Sequence, residues 1–216
     1  MAFKGLSSEQ TLPAHERLYR TLRARIMHGV IPPGRTRTLR GLATEFGVSM
    51  TPAREAVRRL AAEGALKLSP SGRVSTPELT GERIEELAAL RALLEPELAS
   101  RALPRAHLAM IERMAAINGV IDETIVKGDA GGYVRSNLEF HRTLYLRAQA
   151  PAILALVETV WLQSGPTMRT LYERLQRQQA TDNHRKIIAA LRAGDEPGLR
   201  LAVRTDVTQG LRMLMV

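Results

Sequence analysis

Apolar residues in the first third of the chain recur at helical spacing. Leu18, Leu22 and Ile26 fall on one face of a predicted first helix that spans about 13–28. Proline suits the first position of a helix, and a proline stands at residue 13. The IPPG sequence at 31–34 cannot continue a helix, so it is predicted to be a turn.

Two more short helices and a hairpin are predicted to follow. Thr38 opens a helix that runs through Phe46, and a glycine comes next. Ser49 gives a hydroxyl cap with Pro52 at the first helical position, for a helix that runs to Glu63. Beyond it, 65–69 and 73–76 are short enough to be two strands around a Pro-Ser-Gly turn. This order of elements is a winged helix-turn-helix.

The rest of the chain is predicted to be entirely helical, because apolar residues recur every three or four positions without strand-like alternation. About six or seven helices are expected from Thr80 onward. Breaks are predicted at Leu103-Pro104, Lys127-Gly128-Asp129, Ala150-Pro151, Gly165-Pro166, Thr181-Asp182 and Gly194-Asp195. We therefore predict a mainly α protein with a winged helix-turn-helix domain at 1–77 and an all-α helical bundle at 78–216.

Charge separates the same two parts. The 216 residues carry a net charge of +9, but 1–77 hold 13 Lys and Arg against 5 Asp and Glu. The remaining 18 Lys and Arg and 17 Asp and Glu lie in 78–216, which is therefore almost neutral. A solubilising surface would not explain this segregation, whereas binding to a nucleic acid would.

Other compartments and chemistries are disfavoured. Cysteine is absent, so disulfides, thiolate metal sites and cysteine nucleophiles are excluded. No uncharged stretch is longer than that at 148–157, which is half as long as a membrane span, and the start lacks the apolar run of a secretory signal. A cytoplasmic protein without a membrane partner is expected.

Two segments resemble a known family. The sequence GVSMTPAREAVRRLAAEGALKLSPSGRVS at 47–75 resembles the recognition helix and wing of GntR-type bacterial transcription regulators. The helical remainder resembles the FCD-type effector domain of that family's FadR-like branch. Its landmarks are Arg91-x3-Glu95, Asn137-x2-Phe140-His141, and His184 followed by IIAALRAGD.

The third predicted helix has the side chains to read DNA. Arg54 and Arg58 are four residues apart and share a face, with forked donors that match guanine O6 and N7 or a phosphate. Ser49 and Thr51 at the start of this helix suit phosphate contact. Arg59 lies about 100° further round the helix and is expected to meet the DNA backbone.

Three more positions complete the predicted DNA contacts. Gly72 and Arg73 at the wing tip suit insertion into the minor groove. The resemblance adds Arg40 on the preceding helix. It also implies one missing contact, since relatives usually carry arginine where this chain has Met50.

An alternative stays open for two of these arginines. Arg58 and Arg59 could be solvated charges that pair with Glu55 or Glu63 on the same helix. The net charge of +8 in 1–77 and the Gly-Arg wing favour the DNA-binding interpretation.

The bundle contains a candidate metal and effector site. In metal-binding members the resemblance implies ligands in the order Asp, His, His, His, whereas this chain presents Asn137, His141, His184 and Asp206. Asn137 and His141 are four residues apart and share a helix face. This donor set suits zinc, nickel or manganese. The alternative is that these are polar residues that line a cavity.

The same site is where an effector is expected. Open metal positions could take a small carboxylate near Asn137, His141 and His184, and the resemblance makes Arg91 a second anchor.

The function predicted from these features is that of a ligand-responsive transcription regulator rather than an enzyme. It would act as a homodimeric repressor on a pseudo-palindromic operator in double-stranded DNA. Walker-type, HExxH and GxSxG motifs are absent. Two alternatives are a non-specific architectural DNA-binding protein and a metal-dependent hydrolase built on His141 and His184.

Overall fold

The computed structural model describes residues 12–175 and 183–212. The first part of the chain contains three helices and three short strands. These are α1 (Ala14–Met27), β1 (Thr36–Thr38), α2 (Leu39–Glu45), α3 (Met50–Ala62), β2 (Lys67–Leu68) and β3 (Arg73–Ser75). The strands form one antiparallel sheet in the order β1-β3-β2.

The predicted winged helix-turn-helix is confirmed. Helices α1 and α2 are each one residue shorter at either end than predicted, and α3 ends one residue earlier than predicted. Leu18, Leu22 and Ile26 of α1 are buried, and so are the inner residues of α3. Thr38 caps α2 as predicted, because its hydroxyl accepts a hydrogen bond from the Gly41 amide. Strand β1 was not predicted; it pairs with β3 and makes the hairpin a three-stranded sheet.

The start of α3 differs from the prediction. Ser49 is the N-cap residue, but its side chain makes no capping hydrogen bond. Helix α3 begins at Met50, so Pro52 is its third helical residue rather than its first. A cap hydroxyl can accept from the amide of the third helical residue, and proline has none to offer.

The second part is helical throughout its described residues. It comprises α4 (Gly81–Ala102), α5 (Leu108–Lys127), α6 (Ala130–Tyr145), α7 (Pro151–Ser164), α8 (Met168–Leu175), α9 (Asn183–Ala193) and α10 (Glu196–Arg212). Short 3-10 turns follow α4, α6 and α7. The predicted break at Thr181-Asp182 lies outside the described residues. The predicted division at 77/78 falls in the connection between β3 and α4 and stays a prediction.

Helices α4 and α10 pack along each other through the middle of the bundle, and α7 lies between α4 and α1. Helix α6 packs on α5, and α9 contacts both α5 and α10. Phe140, Leu98 and Leu199 are fully buried in this core. Within the described ranges, no helix is both long enough and apolar enough to cross a bilayer.

Candidate nucleic-acid interface and metal centre

The outer face of α3 presents two arginines to solvent. Arg54 and Arg58 are exposed, and neither has an ion pair or hydrogen bond with another described residue. Ala53, Val57 and Leu60 on the opposite face are fully buried and fix the helix against α1. Packing fixes the backbone of this helix, and the guanidinium donors on its outer face are available to an external acceptor.

Arg59 is placed differently from its neighbour. Its guanidinium lies 2.9 Å from Glu16 Oε2 on α1 and 3.6 Å from Glu63 Oε1 on its own helix. It also lies over the Tyr19 ring, 3.6 Å from the centroid. The ion pair with Glu63 is the alternative that the sequence left open. Because Glu16 and Tyr19 belong to α1, Arg59 also connects α3 to α1.

The remaining predicted DNA contacts lie around the start of α3 and on the wing. Ser49, Thr51 and Arg40 are exposed. Gly72 has a φ of +78°, which disfavours a side chain at the wing tip, and its carbonyl accepts a hydrogen bond from the Leu39 amide. Arg73 next to it is exposed. The wing tip is therefore held close to the start of α2.

Three of the four predicted metal ligands come together in the bundle. His141 of α6, His184 of α9 and Asp206 of α10 each offer a ligand atom within 4.8 Å of the other two. His141 Nε2 is 3.2 Å from Asp206 Oδ2, and His184 Nε2 is 3.7 Å from Asp206 Oδ1. The three residues lie on three different helices, 43 and 22 positions apart along the chain, so only the folded bundle creates the site.

The histidine side chains are oriented with one nitrogen toward the centre of the cluster. His184 Nδ1 is 3.0 Å from Asn118 Oδ1, and His141 Nδ1 is 3.3 Å from Tyr145 Oη. An amide oxygen can only accept, so Nδ1 of His184 donates and its Nε2 presents a lone pair toward Asp206. Asn118 and Tyr145 were not predicted. Tyr145 is four residues after His141 and shares its helix face, whereas no spacing in the sequence connects Asn118 with the ligands.

The electrostatics of the cluster suit a cation. His141 Nε2 is buried and makes no hydrogen bond to another described residue. Burial is the main cause that lowers the pKa of His184 to about 4, so this imidazole is neutral at pH 7. Burial alone would raise the pKa of Asp206, but His141, His184 and Arg91 lower it. Neutral imidazoles and an ionised carboxylate are the forms that bind a divalent metal.

The fourth predicted ligand, Asn137, lies one helical turn before His141 and is half-buried. No hydrogen bond joins its side chain to another described residue. Its amide is therefore not committed elsewhere, and its role as a ligand stays a prediction.

Arg91, the predicted effector anchor, is buried and paired with a carboxylate. Its Nε and Nη2 donate to Glu95, one turn along α4. The Nη1 donors are not used in this pairing. Glu95 is fully buried and also accepts hydrogen bonds from Tyr145 Oη at 2.9 Å and Trp161 Nε1 at 3.0 Å. Although burial lowers the pKa of Arg91, the charge of Glu95 raises it above its ordinary value, so Arg91 remains a cation.

Comparison with known proteins places these features in a family. The family model described as "Bacterial regulatory proteins, gntR family" matches residues 14–74, and the model "FCD domain" matches residues 86–209. The HTH-type transcriptional regulator McbR of Escherichia coli (strain K12) is 26% identical over 196 residues, 89% of each chain. The gluconate operon transcriptional repressor of Bacillus subtilis (strain 168) is 28% identical over 186 residues, 81% of this chain and 74% of the relative.

A solved structure has the same fold. The E. coli McbR/YncC structure matches with a TM-score of 0.84 at 24% identity, over 95% of this chain and 98% of that one.

Proposed function

This chain belongs to the GntR family of transcriptional regulators and carries the FCD domain, and we propose that it is a cytoplasmic repressor that binds a pseudo-palindromic operator as a homodimer. A small carboxylate-containing metabolite, bound in the helical part of the chain, controls its operator affinity. The observation that carries this proposal is the pair of exposed arginines, Arg54 and Arg58, on a rigidly packed α3.

DNA binding by this surface follows from the positions of the free cations. Arg54 and Arg58 can donate two parallel hydrogen bonds to guanine O6 and N7 in the major groove. Ser49, Thr51 and Arg40 lie where phosphates would pass, and Arg73 can follow the negative potential of the minor groove. In this proposal Arg59 stabilises the fold, because its guanidinium already pairs with Glu16 and Glu63 and lies over the Tyr19 ring.

Arg58→Ala is expected to weaken operator binding by about 1–3 kcal/mol and to relax specificity at one base pair. Arg59→Ala removes the same charge one residue away, and we expect it to lower the free energy of unfolding by about 1 kcal/mol with a smaller effect on DNA affinity. Fluorescence anisotropy with labelled duplexes and thermal unfolding measure the two effects. Equal losses on specific and scrambled duplexes for Arg58→Ala would contradict base readout.

The metal part of the proposal rests on the buried His141 Nε2, which faces a carboxylate and a second imidazole. His141, His184 and Asp206 would hold zinc, nickel or manganese, and Asn137 would add a weaker neutral ligand. The bound ion would supply a Lewis-acidic position for a carboxylate of the effector. Arg91 Nη1, which does not take part in the pairing with Glu95, would be the second anchor for this carboxylate.

His141→Ala and His184→Ala are each expected to weaken Zn²⁺ binding by at least about 100-fold, since loss of an outer-shell partner alone costs about 10–100-fold. Asn118→Ala, which removes the acceptor for His184 Nδ1, should fall within that smaller range. Calorimetric titration with Zn²⁺, Ni²⁺ and Mn²⁺ gives the affinities. His15→Ala, in the DNA-binding part, is the control. Unchanged affinity and stoichiometry in both cluster variants would exclude this ligand set.

The homodimer is assigned to an apolar surface on α4 and α7. Leu90 and Leu93 of α4 and Leu156 of α7 are exposed, although the two helices pack side by side. The segment 148–157, which includes the first half of α7, carries no charged residue. A second copy of this chain fits the surface, because a pseudo-palindromic operator needs two recognition helices related by a two-fold axis.

A further inference from the structure

Helix α7 lies between the buried site and the DNA-binding part, and it makes a specific contact with each. Trp161 and Gln163 are two residues apart, so they point to opposite sides of the helix, about 200° around its axis. Trp161 Nε1 donates to Glu95 in the centre of the bundle at 3.0 Å. Gln163 Nε2 donates to the carbonyl oxygen of Glu63 at 2.9 Å. Glu63 is the C-cap residue of α3, the predicted recognition helix.

The amide of Gln163 joins three helices. The last carbonyls of a helix lack partners within it, and Gln163 supplies a donor to one of them in α3. Its Oε1 accepts from Arg83 Nη2, near the start of α4, at 2.7 Å. Gly64 faces the same amide with a φ of +73°, and a Cβ on it would lie 2.9 Å from Gln163 Nε2. The end of α3 therefore packs closely on this side chain.

The contact between α7 and the DNA-binding part extends beyond this amide. Gly165, just after α7, lies so close to the end of α1 that a Cβ on it would collide with the Ile26 carbonyl oxygen. Glu158 of α7 pairs with Arg23 of α1 at 3.4 Å and with Arg142 of α6 at 3.3 Å. A displacement of α7 would therefore also displace α1 and α3.

On its other side, α7 is connected to the histidine cluster by successive hydrogen bonds. Trp161 donates to Glu95, Tyr145 donates to Glu95 at 2.9 Å, and Tyr145 Oη is 3.3 Å from His141 Nδ1. All four side chains are buried. Metal binding that shifts His141 would alter the hydrogen bonds of Tyr145 and Glu95. Glu95 accepts from Trp161, so the side of α7 that carries Trp161 would be affected.

We propose that Gln163 is the positioning residue through which the state of the His141–His184–Asp206 site sets the orientation of the recognition helix. Helix α7 is the link, with Trp161 on the side of the site and Gln163 on the side of α3. This inference rests on the proposed function, since it describes how that function is regulated. The coupling is reciprocal, so DNA binding changes the surroundings of Trp161.

The chain contains one tryptophan, and it is Trp161, so its fluorescence reports on α7 without any substitution. The first probe is the palindromic duplex that the purified protein selects from genomic DNA. Saturating duplex is expected to change the emission of Trp161 in the wild type. Gln163→Ala is expected to bind the duplex, as measured by anisotropy of a labelled strand, but to lose most of this emission change.

The second probe is Zn²⁺ alone. In the wild type we expect Zn²⁺ to change operator affinity by about 5–150-fold, the range typical of coupled sites. Gln163→Ala is expected to bring this ratio close to one while Zn²⁺ affinity stays within about threefold. A merely structural role for Gln163 would lower stability and leave the ratio unchanged.

Two variants keep the experiment decisive. Thr159→Ala on the same helix removes a hydroxyl that, among the described residues, donates only to the Ala155 carbonyl of α7, and it should behave as the wild type. Gln163→Glu keeps the acceptor for Arg83 but cannot donate to the Glu63 carbonyl, so it should reproduce the loss if Gln163→Ala folds poorly.

The outcomes separate this inference from the proposed function. If the wild type binds the selected duplex without a change in Trp161 emission, or if both Gln163 variants keep the full response, the inference is wrong and the regulator remains. If the wild type binds selected and scrambled duplexes equally, the proposed function is wrong. This inference is then wrong as well, because it depends on that function.

Discussion

Glu95→Ala is expected to lower the free energy of unfolding by about 3–5 kcal/mol, the cost of removing one partner from a buried ion pair. Glu95 is fully buried and accepts hydrogen bonds from Arg91, Tyr145 and Trp161. Without the carboxylate, Arg91 becomes a buried cation with no counterion beside it, and two buried donors lose their acceptor. Urea unfolding followed by circular dichroism measures the difference.

Glu97→Ala is the matched control, because it removes the same charge from the same helix two residues later. Glu97 is 34% exposed and pairs with Arg101 and Arg200 at the surface. Surface pairs of this kind contribute at most about 1 kcal/mol. Similar losses of unfolding free energy in the two variants would show that Glu95 does not stabilise the centre of the bundle through its buried contacts.

Leu93→Glu is expected to convert the proposed homodimer to monomers and to weaken operator binding by about 10²–10⁴-fold, because one protein then engages only one half-site at a time. In a two-fold interface each substitution occurs twice, so two carboxylates would be placed in one apolar contact. Light scattering after gel filtration gives the mass, and anisotropy gives the affinity.

The chain offers a close control for this substitution. Leu108 at the start of α5 is 69% exposed and Leu93 is 70% exposed, so Leu108→Glu makes the same chemical change at an equally exposed leucine. The Leu108 variant should remain dimeric and keep its operator affinity. A dimer that survives Leu93→Glu, or dissociates equally with Leu108→Glu, would place the interface elsewhere.

Helix positions were predictable because local signals agree with packing. The apolar faces of α1 and α3 and the Thr38 cap gave bounds within one residue of the structure, except at the start of α3. Strand β1 was missed because a three-residue segment is too short to show alternation, and its pairing with β3 joins residues almost forty positions apart.

The site was predictable only in part. The sequence indicated His141, His184 and Asp206 through a resemblance, and folding brings them together. Asn118 and Trp161 lie on other helices, so no spacing in the sequence connects them to the cluster. Arg58 and Arg59 have identical side chains at adjacent positions, and only their different neighbours in the fold distinguish a free arginine from a paired one.

Sequence-specific operator binding by this protein is tested by selection from genomic DNA followed by measurement of affinity. Fragments retained by the purified protein at about 150 mM salt are sequenced, and the enriched duplex is compared with a scrambled duplex of equal length and composition. We expect one pseudo-palindrome to be bound at least about 10³-fold more tightly than the scrambled duplex. Equal affinities that merely fall with rising salt would contradict it and favour a non-specific DNA-binding protein.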